Sequence, residues 1–347
     1  RSGAARVVIG TRSAVFAPAK SLGLLVIDEE QDGAYQSDRS PRYHARDVAK
    51  FRAAQQNALL LLGSATPSVE SYFGAESGKY PLFSLPERFG SGGLPQVLVT
   101  DMRGLSRQGL TGLVGPALRE ELHKNLANGE QSILFLNRRG ANRVIGCSVC
   151  GWVPECPSCS TTMTYHSANG RAMCHYCGAS IKIRESCPEC GSSHLFMETP
   201  GTQRVEEELR TLFPDARILR MDADTTAARY AHEQLLASFG AGRADILLGT
   251  QMVTKGLDFE NVTLVGVLDA DQSLYAQDFR ARERTFSLIT QVVGRAGRRD
   301  KQGRAVIQTF SPEHPVILAA ARQDYLAFYE RELEMRRATQ CPPNHQL

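Results

Sequence analysis

Apolar runs of four to six residues, each stopped by a turn-forming or acidic group, alternate along this chain with stretches of helical spacing. Ala4–Ile9 reads as a strand running into Gly10-Thr11-Arg12-Ser13. Leu22–Ile27 reads as a buried strand running into Asp28-Glu29-Glu30-Gln31. Between His44 and Gln56, Ala45, Val48, Ala49 and Arg52 recur at helical intervals, and Ala58–Leu62 follows as a strand ending in Gly63-Ser64-Ala65-Thr66-Pro67. The stretches Gly90–Gly93 and Gly104–Gly115 are glycine-rich and mark a passage between domains. Beyond them, Pro116 opens a predicted helix that runs to Asn128 before Gly129, and Gln131–Leu136 is a strand leading into Asn137-Arg138-Arg139-Gly140. The same grammar resumes near Thr202: a helix over Gln203–Phe213, a strand over Arg217–Met221, a helix near Ala228–Phe239 and a strand over Asp245–Leu248. Arg304–Phe310 is the last predicted strand, and Glu313–Arg337 a helical tail. Strands separated by helices predict an α/β fold built on parallel sheet.

The 347 residues suffice for two domains and a small extra module, and an apolar fraction of 42% supports a real core. No run of about 18 apolar residues occurs, so no membrane span is expected. A net charge of +3 says little alone, but arginines cluster at Arg138–Arg143, Arg280–Arg284 and Arg295–Arg304.

Eight of the nine cysteines form four Cys-x-x-Cys pairs: Cys147/Cys150, Cys156/Cys159, Cys174/Cys177 and Cys187/Cys190. Two such turns complete a tetrahedral Zn²⁺ site with no open position, so four turns predict two structural zinc ions. Nested pairing is the easier arrangement: Cys156, Cys159, Cys174 and Cys177 inside, Cys147, Cys150, Cys187 and Cys190 outside. A crossed arrangement is the alternative. Reduced cysteines and no signal peptide point away from a disulfide framework and toward the cytoplasm. His166, His175 and His194 read as surface groups or as neighbours of the zinc ligands, not as ligands themselves, and Cys341 as an inert thiol.

Asp28 and Glu29 at the end of a parallel strand suit a Mg²⁺–nucleotide site, with a polar turn as the plain alternative. Ser64 and Thr66 could sense those carboxylates or simply cap a helix. Tyr35, Arg42 and Tyr43 interleave rings with cations, a pattern that stacks on unpaired bases. Val7–Arg12 is echoed by Ile246–Gln251, and Ile27-Asp28 by Leu268-Asp269, which suggests two lobes of related fold. Each lobe would present a Gly-Thr turn to a phosphate. If Gln291–Arg298 is helical, Gln291, Arg295 and Arg298 share one face and can reach phosphates.

Taken in order, Leu25–Gln31, Gly63–Thr66, Ile133–Gly140, Gly249–Gly256 and Gln291–Arg298 resemble the motifs of superfamily 2 helicases. The eight-cysteine insert narrows the resemblance to the PriA (primosomal protein N′) family of replication-restart helicases. The stretch Ser40–Asp47 is similar to that family's aromatic-rich loop.

The resemblance implies two RecA-like parallel-sheet lobes with a double-zinc insertion in the second. Its parts would be 1–95 as the carboxyl-terminal part of lobe one, 96–115 as an inter-lobe linker and 116–146 as the start of lobe two. The zinc insertion would take 147–193, the rest of lobe two 194–312, and a truncated helical tail 313–347. It further implies ATP-driven 3′-to-5′ unwinding of forked DNA, with primosome proteins and single-strand-binding protein as partners. Asp28 and Glu29 match the metal-binding and hydrolytic carboxylates. Gln31 stands where the family often has His. Gln291, Arg295 and Arg298 match the nucleotide-contacting set. Thr11, Arg12, Thr250 and Gln251 fall at strand-contacting motifs, with Tyr35, Arg42, Tyr43, Arg138 and Arg139 as further expected DNA contacts.

No Gly-x-x-x-x-Gly-Lys-Ser/Thr occurs, so the chain is expected to be an internal fragment that does not turn over ATP alone. Two rival readings are a non-motor, zinc-dependent DNA-binding scaffold for primosome assembly and a zinc-ribbon nuclease or topoisomerase-like protein. Only Asp269 and Asp271 approach the clustered acids a nuclease needs.

Overall fold

The computed structural model describes residues 5–85, 93–137, 145–196, 201–297 and 301–345, apart from 109, 111, 160, 167–168, 176, 223, 227–230, 251–258 and 277. These divide into two units, Arg1–Phe83 with Gln340–Leu347, and Ser84–Thr339.

In the first unit β1 (Leu24–Ile27) is followed by α1 (Ala45–Gln56), β2 (Leu59–Leu62) and α2 (Val69–Glu76). The strands pair in parallel, Leu24 opposite Leu59 through Ile27 opposite Leu62. The His44 ring accepts from Arg46 N to start α1, and Asn57 ends it in the left-handed region at φ 50°. Ile27, Ala45, Ala49 and Val15 form the core, with Leu25, Leu60 and Leu62 packed on it. The alternate residues face away from α1: Val26 is 57% and Leu59 66% exposed, so β1 is not the fully buried strand expected. Over its described residues, 5–9, the expected strand at Ala4–Ile9 does not form either. Residues 5–10 carry no strand, and Ile9 is 93% exposed, because no strand among the described residues pairs with this apolar run.

The second unit begins with β3 (Gln96–Asp101), α3 (Pro116–Ala127) and β4 (Gln131–Leu136). A cysteine-rich module follows with the short strands β5 (Gly146–Cys147), β6 (Thr164–His166), β7 (Arg171–Met173), β8 (Ser180–Lys182) and β9 (Leu195–Phe196). The α/β pattern resumes with α4 (Thr202–Leu212), β10 (Ile218–Met221), α5 (Ala231–Gly240), β11 (Ile246–Gly249), β12 (Val262–Leu268), α6 (Ala281–Val293) and β13 (Arg304–Thr309). Helices α7 (Pro315–Arg322) and α8 (Tyr325–Ala338) complete the unit.

Among the described residues, the main sheet is a six-stranded, wholly parallel, RecA-like sheet in the order β10-β11-β4-β12-β13-β3. The chain leaves β4 to build one wing and crosses back to β12 to build the other, so the order reverses between β4 and β12. Both of those strands are buried throughout, as central strands covered on both faces must be. Leu118 and Leu122 of α3, Val205 and Leu209 of α4, and Leu134, Leu248 and Leu264 of the sheet form the core. Gly266 lets α3 close onto β12, since a Cβ there would lie 3.0 Å from the Leu118 side chain of α3 and 2.6 Å from that of Leu134 in β4.

Two expectations are corrected here. The supposed linker at 96–115 begins with β3, which pairs along its length with Arg304–Thr309 as an edge strand. Glycine-rich flanks hid an alternating Val97–Val99 pattern that a sheet edge can use. The helical tail is broken at Gln323, which is left-handed at φ 53°, and Asp324 caps a second helix by accepting from Ala327 N at 3.0 Å. Its first helix, α7, packs on α6 as part of the unit. No helix of the described residues is long and apolar enough to cross a membrane.

Candidate functional site

At the carboxyl end of β1 the backbone turns sharply at Glu29, whose φ of 48° is unusual for a residue with a side chain. Such conformations persist where surrounding contacts over-determine them, often at functional sites. Here Glu30 N donates to Gly63 O at 3.1 Å, tying this turn to the one after β2. A chain of hydrogen bonds then runs between the two strand ends. Gln31 Nε2 donates to Glu29 Oε2 at 2.6 Å, Ser64 Oγ donates to Gln31 Oε1 at 2.6 Å, and Thr66 N donates to Ser64 Oγ at 2.9 Å. The amide of Gln31 thus bridges both partners, as an imidazole in its place would. Asp28 stays exposed and accepts from Glu29 N at 3.0 Å. An exposed carboxylate beside one held in a fixed direction fits a hydrated Mg²⁺ and its nucleotide.

The neighbouring carboxylate has a different task, which sequence reasoning missed. Glu30 is only 2% exposed and meets Arg46 Nη1 at 2.6 Å. Its Oε1 accepts from Ser68 N at 2.6 Å, and its Oε2 from Ser71 Oγ at 3.0 Å, so it anchors the start of α2. Burial works against the charged guanidinium, and Glu30 more than offsets that, holding the Arg46 pKa above the usual arginine value. An arginine beside the Ala45–Ala49–Ala53 face of α1 was the available signal.

The expected DNA contacts are placed as follows. Tyr35 is half-buried and donates to Asp28 O at 2.8 Å, and burial, with Asp28 adding, pushes its phenol up. The Tyr43 ring meets Phe16 edge-on at 4.9 Å, with the Arg12 guanidinium 5.9 Å from its centroid. Arg12 also donates to Ala34 O at 3.1 Å and to Gln36 O. Arg42 and Thr11 are exposed. In the second unit Thr250 follows β11, and its amide donates to Met221 O at 3.4 Å. Arg138, Arg139, Gln251 and Arg298 lie outside the described residues.

Gln291 is in the last turn of α6, but Arg295 is not on the same helix. The helix ends at Val293, Gly294 caps it, and Arg295 N and Ala296 N close tight turns onto Val292 O and Val293 O. The single helical face expected for Gln291, Arg295 and Arg298 is therefore corrected. Its cause is distant in sequence: Gly297 is left-handed at φ 64°, and a Cβ there would lie 2.1 Å from Gly303 N. Those glycines serve a backbone crossing.

The cysteines form two clusters, Cys147/Cys150/Cys187/Cys190 and Cys156/Cys159/Cys174/Cys177, each with its sulfurs within 4.8 Å of one another. This is the nested pairing. Sulfur separations of 3.7 Å (Cys147–Cys190), 3.6 Å (Cys150–Cys187) and 3.5 Å (Cys156–Cys177) are far too long for a disulfide. They match the edge of a tetrahedron around Zn²⁺, about 3.8 Å for Zn–S bonds of about 2.3 Å. Each Cys-x-x-Cys turn is folded alike, the first cysteine's amide donating to the carbonyl five residues on, as from Cys147 N to Trp152 O and from Cys187 N to Ser192 O, both 2.8 Å. The residue after the second cysteine is left-handed at Gly151, Gly178 and Gly191, so glycine is favoured there. Burial raises the Cys150 thiol to about 12, while the Ser192 amide lowers Cys190 to about 7. Four crowded sulfurs resist common ionisation unless a divalent cation takes up the charge, and an all-sulfur set leaves no open position for chemistry.

Residues 156–182 match the PriA DNA helicase Cys-rich region (CRR) domain, and residues 191–300 the helicase conserved C-terminal domain. The chain is 49% identical over 342 residues to the replication restart protein PriA of Bacillus subtilis, covering 99% of this chain and 42% of that protein. With the PriA of Haemophilus influenzae it shares 43% over 343 residues, 99% of this chain and 47% of the relative. The chain belongs to the PriA family. It spans under half the length of these PriA relatives. Among solved structures, RecG bound to a three-way DNA junction aligns with 95% of the chain and 32% of its own, at a TM-score of 0.48 and 13% identity.

Proposed function

We propose that this chain is part of an ATP-dependent DNA helicase of replication restart, moving 3′ to 5′ and recognising stalled forks. The hydrogen-bond chain from Thr66 through Ser64 and Gln31 to Glu29 carries the reading, because it fixes one carboxylate at a strand end while Asp28 stays open. In the whole protein Asp28 would hold the water shell of Mg²⁺, and Glu29 would orient and deprotonate the attacking water. Bound Mg²⁺–ATP supplies the phosphoryl group and neutralises charge on it. Gln31 and Ser64 keep Glu29 aligned and report its state to α2. Gln291, Arg295 and Arg298 contact phosphates, and Thr11, Arg12, Thr250 and Gln251 meet the DNA strand. Tyr35, Arg42, Tyr43, Arg138 and Arg139 add contacts to unpaired or forked DNA.

The two zinc ions stiffen the module at 147–193 for duplex separation and for contact with other primosome proteins and single-strand-binding protein, in the cytoplasm. With no Gly-x-x-x-x-Gly-Lys-Ser/Thr in its sequence, the chain by itself does not hydrolyse ATP. The test is DNA-stimulated ATPase of the full-length protein carrying Glu29→Gln. Loss of at least a hundredfold is expected, and unchanged turnover would favour a scaffold without a motor.

A further inference from the structure

A cavity of about 340 Å³ lies at the carboxyl ends of β4, β12 and β13, the place where the strand order of the six-stranded sheet reverses. In open parallel sheets such reversals are where ligands bind. Leu136 and Leu268 form its sheet side, Leu113 before α3 and Val205 of α4 line it beside them, and Phe196 and Phe310, with ring centres 5.3 Å apart, form another wall. Phe196 belongs to β9, so the cysteine-rich module closes part of the site.

The polar groups of this neighbourhood are mostly spoken for. Gln308 accepts from Gly115 N and donates to Leu113 O, both at 2.7 Å. Asp271 accepts from Thr309 Oγ1 at 2.6 Å and Phe310 N at 2.7 Å. Asp269 is the exception. It follows β12 in a left-handed conformation at φ 52° and lines the cavity, and among the described residues its carboxylate receives no hydrogen bond, although its backbone carbonyl accepts from Gln272 N at 3.5 Å. Burial first, and Asp271 second, push that group up to about 7. Arg204 and His194 line the cavity too, and both are exposed residues.

We propose that this cavity is a binding site for a small organic cation, an apolar aryl or alkyl body carrying one ammonium group that Asp269 receives. A metal ion is the poorer fit, because one carboxylate among apolar walls leaves most coordination places unfilled. An anion would face Asp269 and Asp271. A neutral apolar molecule would fill the space and leave a carboxylate without a donor, where a cation supplies both charge and hydrogen bonds. The volume is at the lower end of ligand cavities, suited to a compact body. This inference does not depend on the motor reading, since its walls and its carboxylate belong to the second unit alone.

The test uses the zinc-loaded 347-residue chain with phenethylamine and 2-phenylethanol, which share an apolar body and differ in the head group. Titration by NMR of methyl-labelled protein at pH 8 gives both affinity and location. Phenethylamine is expected to bind at least tenfold more tightly than the alcohol, with the Met102 and Leu268 methyl signals moving. Asp269→Asn is expected to reduce the preference below twofold while leaving alcohol binding in place. Equal binding of the two probes to the unaltered chain, shifts confined to methyls away from the cavity, or a preference that survives Asp269→Asn would each overturn the assignment.

Discussion

Replacing Glu30 by Gln should destabilise the first unit far more than its conservative shape suggests. The carboxylate makes an ion pair with Arg46 at 2.6 Å and accepts from Ser68 N at 2.6 Å and Ser71 Oγ at 3.0 Å, in a site where the Arg46 side chain is 10% exposed. Arg46 Nε is already buried without an acceptor, so the guanidinium leans chiefly on Glu30, with Glu70 and Asp47 adding less. Breaking one side of a buried pair costs roughly 3–5 kcal/mol, and the amide oxygen of Gln can still accept from Ser68 N, which places the loss near the lower end, about 3 kcal/mol. That is roughly a hundredfold in the local opening equilibrium.

The only Trp, Trp152, is in the second unit, so global fluorescence would miss the effect. Hydrogen exchange resolved by peptide, compared between residues 24–80 and 96–136, reads it directly. Arg46→Met should cost a similar amount. The double variant Glu30→Gln, Arg46→Met should be less destabilised than the sum of the singles, because no uncompensated charge remains. A Glu30→Gln loss below about 1 kcal/mol, or strict additivity in the double variant, would refute the account of a desolvated pair.

Metal analysis should find two zinc ions per chain, and Cys156→Ser should lose one and open exchange over 156–182 while the cluster of Cys147, Cys150, Cys187 and Cys190 keeps its metal. Asp269 has a folded pKa of about 7 against an ordinary 3.8, so the native state holds its proton more tightly than the unfolded chain does. Its contribution is therefore lost as pH rises from about 4 to about 7, and Asp269→Asn should be the more stable form at pH 8, by at most about 4 kcal/mol, and equal at pH 4 in urea titrations. Gly297→Ala should destabilise the second unit by more than about 2 kcal/mol, since it meets both a left-handed backbone and Gly303 N at 2.1 Å; an unchanged urea midpoint would contradict that.

The features legible from sequence are those that depend on near neighbours along the chain. Cys-x-x-Cys spacing brings two sulfurs together within one turn, and Gly151, Gly178 and Gly191 mark the left-handed residue such a turn needs. Helical periodicity found α1, α3 and α4 within a residue or two, and Gln131–Leu136 was read with both ends correct. The bridge from Glu29 through Gln31 to Ser64 could be suspected from hydroxyls after a second strand, although only the parallel pairing of β1 with β2 brings those strand ends together.

Burial and crossings were decided elsewhere. Val7–Thr11 and Ile246–Thr250 carry nearly the same local pattern, yet β11 lies fully buried between β10 and β4, while Val7, Val8 and Ile9 stand exposed without a strand partner. An apolar run becomes a strand only when neighbours supply its hydrogen bonds and cover its faces, and no local pattern encodes whether they are there. In the same way the end of α6 was decided by Gly303 passing close to Gly297, and the cavity at Asp269 by three strand ends meeting β9 of an inserted module. Tertiary packing alone chooses among conformations that the local sequence leaves nearly equal.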